Sequence, residues 1–99
     1  MFEGKPASIT HESAEELAVN ALSFLAQDIE ALGRFLSLAG IGPQDLRSYA
    51  QEPEFLAGVL EFFMADEQLL LTFTQMQGIR PTMIAAARFE LDKAKHPHD

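Results

Sequence analysis

The feature that most constrains the fold of this chain is an internal repeat, because residues 17–50 align with residues 55–88 at an offset of 38 positions. Eight of the 34 aligned positions carry identical residues. The identical pairs are Leu22 and Leu60, Phe24 and Phe62, Asp28 and Asp66, Leu32 and Leu70, Phe35 and Phe73, Gly40 and Gly78, Ile41 and Ile79, and Pro43 and Pro81. These residue types form helix cores, helix caps and helix breaks. The repeat therefore predicts a scaffold built twice from the same helices, and it does not indicate a function.

Apolar residues recur at spacings of three and four through both copies, which is the period of an amphipathic α-helix. Asp28 and Asp66 are predicted to cap the second helix of each copy, and Gly40 and Gly78 are predicted to end it in the left-handed conformation. Thr10 and Ser13 are alternative caps for the first helix. The other predicted boundaries are Ala26 for the end of the first helix, 43–50 for a short third helix, Pro53 for the start of the fourth, and 81–94 for the sixth.

The length and composition of the chain favour a single helical domain. The chain has 99 residues, of which 47% are hydrophobic and 22% are charged, and these proportions are ordinary for a globular protein. No segment alternates apolar and polar residues as a half-buried strand would. We expect an all-α, compact six-helix bundle of two duplicated three-helix units, related by an approximate two-fold axis. The domain is predicted at residues 11–94, with flexible tails at 1–10 and 95–99.

The net charge of the chain disfavours some classes of binding partner. Fifteen acidic residues oppose seven lysines and arginines, giving a net charge of −8. This charge disfavours nucleic acid and anionic membrane surfaces, because both are bound mainly through lysine and arginine. The chain has no cysteine, and its N-terminal segment lacks the pattern of a signal peptide. We expect a cytoplasmic protein without membrane association.

The sequence provides few residues for catalysis or metal binding. It has no glycine-rich phosphate loop, no HExxH pattern and no nucleophile elbow. His11 is the only histidine outside the C-terminal end. Asp66 and Glu67 are adjacent carboxylates that helix capping explains better than metal binding. The terminal group His96, His98 and Asp99 is interpreted as incidental. We expect no enzymatic activity, no cofactor and no metal site.

Residues 39–60 resemble the helix-turn-helix of tetracycline-repressor-type DNA-binding regulators, with Ala39, Gly40 and Ile41 before a short turn. In that alternative, the helix at 43–50 would enter the major groove. Its exposed polar residues would be Gln44, Asp45, Arg47 and Ser48. This set has one cation against one anion, whereas DNA-binding proteins position themselves through several contacts to phosphate. The favoured interpretation is a helix-turn-helix that serves only as a fold element.

The leading hypothesis for function is a small, non-enzymatic protein-interaction or regulatory module. The second copy carries larger apolar residues than the first at several matched positions, including Met64 and Leu71. These side chains either pack under the first and sixth helices or form an exposed patch, for which Met64, Leu71 and Met76 are the candidates. Internal packing is favoured, because the fourth and fifth helices are expected to be central. The partner would be an unidentified protein or a second copy of this chain.

The segments GIGPQDLRSYA and PEFLAGVLEFFMADEQLLLTF, with AVNALSFLAQDIEALGRFL before them, resemble a family of small bacterial proteins described as domain of unknown function 3572. The resemblance covers about residues 12–90. Its most specific parts are the segments 40–43, 45–47 and 65–67. The resemblance implies a small soluble bacterial helical domain. It implies no catalytic residues, because the family has no assigned activity.

Overall fold

The structure, a computed structural model, describes residues 9–95, and this part of the chain forms six α-helices and no β-strand. The helices are α1 (His11–Ala26), α2 (Ile29–Ala39), α3 (Leu46–Tyr49), α4 (Pro53–Met64), α5 (Glu67–Gln77) and α6 (Thr82–Lys95). The predicted all-α, six-helix fold is therefore confirmed. Most of both predicted tails, and with them His96, His98 and Asp99, lies outside the described residues. None of the six helices combines the length and the hydropathy needed to cross a membrane.

The starts of α1, α2 and α5 are fixed by side-chain caps, whereas α4 begins at Pro53 without one. The carboxylates of Asp28 and Asp66 each accept a hydrogen bond from the backbone N–H three residues later, at 3.2 Å in both cases. Both predicted caps are confirmed. At the start of α1 the cap is Thr10, whose hydroxyl accepts a hydrogen bond of 3.0 Å from the N–H of Ser13. These bonds satisfy N–H groups that have no partner inside the helix.

Two glycines end α2 and α5 as predicted. Gly40 and Gly78 have φ angles of 73° and 70°, which lie in the left-handed region. The chain then turns back, so that the N–H of Ile41 donates to the carbonyl of Leu36 at 3.2 Å. The predicted third helix begins as a 3₁₀ turn at Pro43–Asp45, and α3 adds only four residues.

The core is built around α4. One face of this helix, formed by Leu56, Val59, Leu60 and Phe63, is buried, and α1 and α6 pack against the helix. The ring of Phe63 lies 6.1 Å from that of Phe24 and 5.1 Å from that of Phe73, measured between centroids. These separations are typical of favourable aromatic pairs. The prediction that α4 is central is correct.

The prediction that α5 is also central is wrong. Of its eleven residues only Phe73 and Thr74 are buried, because α5 packs mainly against α4 and leaves its outer side in solvent. The hydroxyl of Thr74 donates to the carbonyl of Leu70 at 2.9 Å, so this buried polar group is satisfied.

The two halves agree in part. The matched pairs Leu22 and Leu60, and Phe35 and Phe73, are buried in both halves. The third helices differ, because α3 has four residues and α6 has fourteen. The duplication and its two-fold axis therefore stay a prediction from the sequence.

Two glycines of α2 give opposite predictions for stability. Gly33 lies inside the helix, and a Cβ added there meets nothing within 4 Å, whereas Gly40 has a positive φ. We expect Gly33→Ala to raise the free energy of unfolding by about 0.5–1 kcal/mol, because alanine loses less backbone entropy on folding. We expect Gly40→Ala to lower it by about 1–2 kcal/mol. Urea denaturation followed by circular dichroism measures both, and equal signs for the two variants would contradict the assignment of the helix end.

The buried aromatic cluster gives a second pair of variants. Phe63 is fully buried, whereas Phe89 on α6 is 65% exposed. We expect Phe63→Ala to destabilise the protein by about 3–5 kcal/mol, because it leaves a cavity between α1, α4 and α5. We expect Phe89→Ala, the matched control, to change stability by less than about 0.5 kcal/mol. Thermal and urea denaturation test this, and similar losses for both variants would show that α4 is not the centre of the core.

Candidate functional site

An apolar groove of about 420 Å³ lies between α2 and α4. It is lined by Phe35, Leu38, Ala39, Glu54, Phe55, Gly58, Glu61, Phe62 and Ala65, and it is called the α2–α4 groove below. The first three of these residues come from the C-terminal half of α2, and the others follow α4 from its first turn to its C-cap. Seven of the nine lining residues are apolar or glycine, which is the composition of a binding groove.

The α4 side of the groove is the face opposite to the core. Glu54, Gly58, Glu61 and Ala65 are spaced by four, three and four residues, so they follow one face of the helix. From Glu54 to Ala65 this face is about 16 Å long, at 1.5 Å per residue. The groove is therefore long enough to contact about three turns of another helix.

Aromatic rings form the floor of the groove. Phe35 reaches from α2 to α4, and its ring centroid lies 5.5 Å from that of Phe55 and 5.4 Å from that of Phe62. Phe55 and Phe62 are only half-buried. On the rim, Leu38 is 78% exposed. Covering apolar surface of this kind with a partner is favourable, because it removes that surface from water.

Gly58 leaves the backbone of α4 open to the groove. A Cβ added at this position meets nothing within 4 Å, so internal packing does not require a glycine here. Glycine inside a helix is less favourable than alanine by about 0.5–1 kcal/mol. The residue therefore costs stability and, in this structure, provides close access to α4 from outside.

The rim of the groove is acidic. Glu54 lies at the first turn of α4, and Glu61 lies two turns later. The Oε2 atom of Glu61 is 3.5 Å from Nη2 of Arg88, and Nη1 of the same arginine is 3.5 Å from Oδ2 of Asp92. Arg88 thus pairs with both carboxylates, so the three side chains together carry a net charge of −1.

Arg34 contacts the aromatic floor of the groove at Phe62. Its guanidinium carbon lies 5.4 Å from the centroid of the Phe62 ring, within the range of a cation–π contact. Its Nη2 atom is 3.6 Å from Oδ2 of Asp66, while Oδ1 of Asp66 caps α5. Asp66 therefore links the start of α5 to the groove.

A second, polar cleft of about 460 Å³ lies where the first turns of α2 and α5 meet. It is lined by Phe24, Gln27, Asp28, Ala31, Arg34, Asp66, Gln68, Leu69 and Thr72. Its two carboxylates cap helices, and its arginine pairs with one of them.

His11 does not line this cleft, and its Nε2 lies 3.4 Å from the carboxylate of Glu15. Within residues 9–95, no three histidine, aspartate or glutamate side chains converge as a metal site would require.

Met64, Leu71 and Met76 are exposed, and Met76 is 68% exposed. The expectation that they pack inside the protein is therefore wrong. For Leu71 and Met76 the reason is the peripheral position of α5, whereas Met64 is the last residue of α4. Leu71 and Met76 are five residues apart, which places them about 140° apart around the helix. They lie on different flanks of α5, and as an interaction surface they stay a prediction.

The polar residues Gln44, Asp45, Arg47 and Ser48 are all exposed, as predicted. They belong to the 3₁₀ turn and to α3, which together span only residues 43–49. None of the ion pairs found within the described residues involves these four side chains. No geometric feature favours this surface over the α2–α4 groove.

The sequence reasoning missed the groove residues Leu38, Phe55, Gly58 and Phe62. The sequence of α4 is apolar nearly all round, and because such a helix is normally buried, the pattern predicts a core position for all of its apolar residues. The signal that could have identified the groove is Gly58, since an isolated glycine in a strongly helical apolar segment often has a packing or functional reason.

No curated protein and no solved structure matches the chain. Residues 11–94 match the sequence profile of a family described as protein of unknown function (DUF3572), the family that the segments around Gly40 and Asp66 resemble. Because this match covers most of the sequence, the chain belongs to the DUF3572 family.

Proposed function

We propose that this protein is a non-enzymatic interaction module that binds an amphipathic helix of another protein in the α2–α4 groove. The observation that carries the proposal is the apolar, aromatic-floored groove beside a glycine that internal packing does not require. The polar cleft supports the non-enzymatic part, because its carboxylates and its arginine already hold the fold together.

A helix is the occupant that fits the shape of the groove. Helix-in-groove recognition uses apolar anchors on one face of the bound helix, and these enter a hydrophobic channel. The α2–α4 groove presents half-buried rings at Phe55 and Phe62 for such anchors. At Gly58 the missing side chain lets the backbones approach closely.

The charges favour a basic partner over a second copy of this chain. Each copy carries a net charge of −8, and the groove is rimmed by Glu54 and Glu61. Docking of a second acidic copy would bring like charges together, whereas lysines and arginines on a partner helix would complement the rim. The partner we propose therefore has an apolar face flanked by basic residues.

Filling the groove tests the proposal. We expect Gly58→Leu to abolish binding of a 16-residue amphipathic peptide with leucines at helical spacing and lysines among its polar positions, because the new side chain occupies the groove. The matched control is Gly33→Leu, which adds the same side chain to an open position in α2 outside the groove. Fluorescence anisotropy of the labelled peptide measures binding, and amide shifts at Phe55 and Phe62 in NMR spectra locate it.

Both variants are expected to fold, since a Cβ added at either position meets nothing within 4 Å and leucine favours a helix more than glycine does; circular dichroism checks this for each variant. Equal binding by wild type, Gly58→Leu and Gly33→Leu would contradict the proposed site. Sedimentation of the protein alone provides the other check. Self-association that Gly58→Leu abolishes would replace the basic partner by a second copy of the chain.

A further inference from the structure

We infer that the partner helix carries two cationic side chains seven residues apart, with an apolar anchor between them that sits over Gly58. This inference rests on the proposed function and specifies the sequence of the partner. It follows from the positions of the only two charged residues among those that line the α2–α4 groove.

The spacing of the acidic residues sets the register. Glu54 and Glu61 are seven residues apart on one face of α4, which is two turns or about 10.5 Å. Gly58 lies four residues after the first and three before the second. A partner helix aligned with α4 has the same rise per residue, so two cations that meet both carboxylates are also seven residues apart. The partner residue that lies four positions from one cation and three from the other faces the opening at Gly58.

Both carboxylates can accept a partner's cation in addition to their present contacts. The side chain of Glu61 is 65% exposed, and it shares Arg88 with Asp92. Glu54 is exposed and has contacts of its own. An ionised carboxylate has about four lone-pair sites, so an existing bond does not exhaust it. A lysine from the partner would join these groups and would offset the excess negative charge of the rim.

Two isomeric peptides test the register. Both have 16 residues, the same leucine face and the same composition of leucine, alanine, glutamine and two lysines. In one peptide the lysines are seven residues apart and bracket a central leucine, and in the other they are four residues apart. We expect the first peptide to bind about two- to fivefold more tightly, which is the gain from one additional exposed ion pair. Fluorescence anisotropy at low salt measures both dissociation constants.

Charge variants of the protein show which carboxylates act. Glu54→Gln and Glu61→Gln are each expected to remove the difference between the peptides, whereas Glu30→Gln, outside the groove, is expected to keep it. The difference is also expected to shrink at 0.5 M salt, about three times physiological ionic strength, where exposed charges are screened. Thermal melts establish that each variant is folded.

The outcomes separate this inference from the proposed function. Equal affinities for the two peptides, with Gly58→Leu still blocking both, would overturn the register and leave the groove as the binding site. A preference for the seven-residue spacing that persists in both glutamine variants would also overturn it. Binding of both peptides to Gly58→Leu would instead overturn the proposed function.

Discussion

The burial of one face of α4 against α1 and α6 is the constraint on which the rest of the structure depends. Leu60 and Phe63 are completely buried on that face, and the rings of Phe24 and Phe73 complete the cluster from α1 and α5. The buried residues of α4 all lie on this side of the helix. Once it is occupied, the opposite face of α4 must meet solvent or be covered by the remaining helices. α2 covers it incompletely through Phe35, and the space left over is the groove.

The sequence predicted the helices well because their ends are determined locally. Asp28 and Gly40 act within one turn of the backbone that they cap, so their residue types alone predict what they do. The position of a helix in the bundle depends instead on which of its apolar residues find partners. Leu71 and Phe73 are equally apolar in sequence, yet only Phe73 reaches the aromatic cluster. The shape of the groove does not follow from the sequence for the same reason, because it depends on how α2 packs against α4, although Gly58 marks its position in the sequence.

Two features of the groove lower the stability of the folded protein. A larger residue at Gly58 would favour the helix, and fuller coverage of Phe55 and Phe62 would add hydrophobic stabilisation. Exposed apolar surface also increases the tendency to aggregate, and the net charge of −8 opposes that tendency. In the proposed function, the negative charge would disfavour docking of a second copy and favour a basic helix, so the charge that disfavours DNA would also select among protein partners.

The alignment of the two halves shows where the groove departs from the repeat. The positions of Gly58, Glu61 and Ala65 correspond to Asn20, Ser23 and Gln27 in the first half. The shared positions are the ones that build cores, since Phe35 and Phe62 correspond to Phe73 and Phe24. Gly58 and Ala65 are thus smaller than their counterparts in the first half, and Glu61 adds a carboxylate where the first half has a serine. Glu54 aligns with Glu16, so one of the two groove carboxylates is common to both halves. Under a duplicated origin, the groove face therefore differs between the halves at Gly58, Glu61 and Ala65, where folding alone does not require the same residue in both copies.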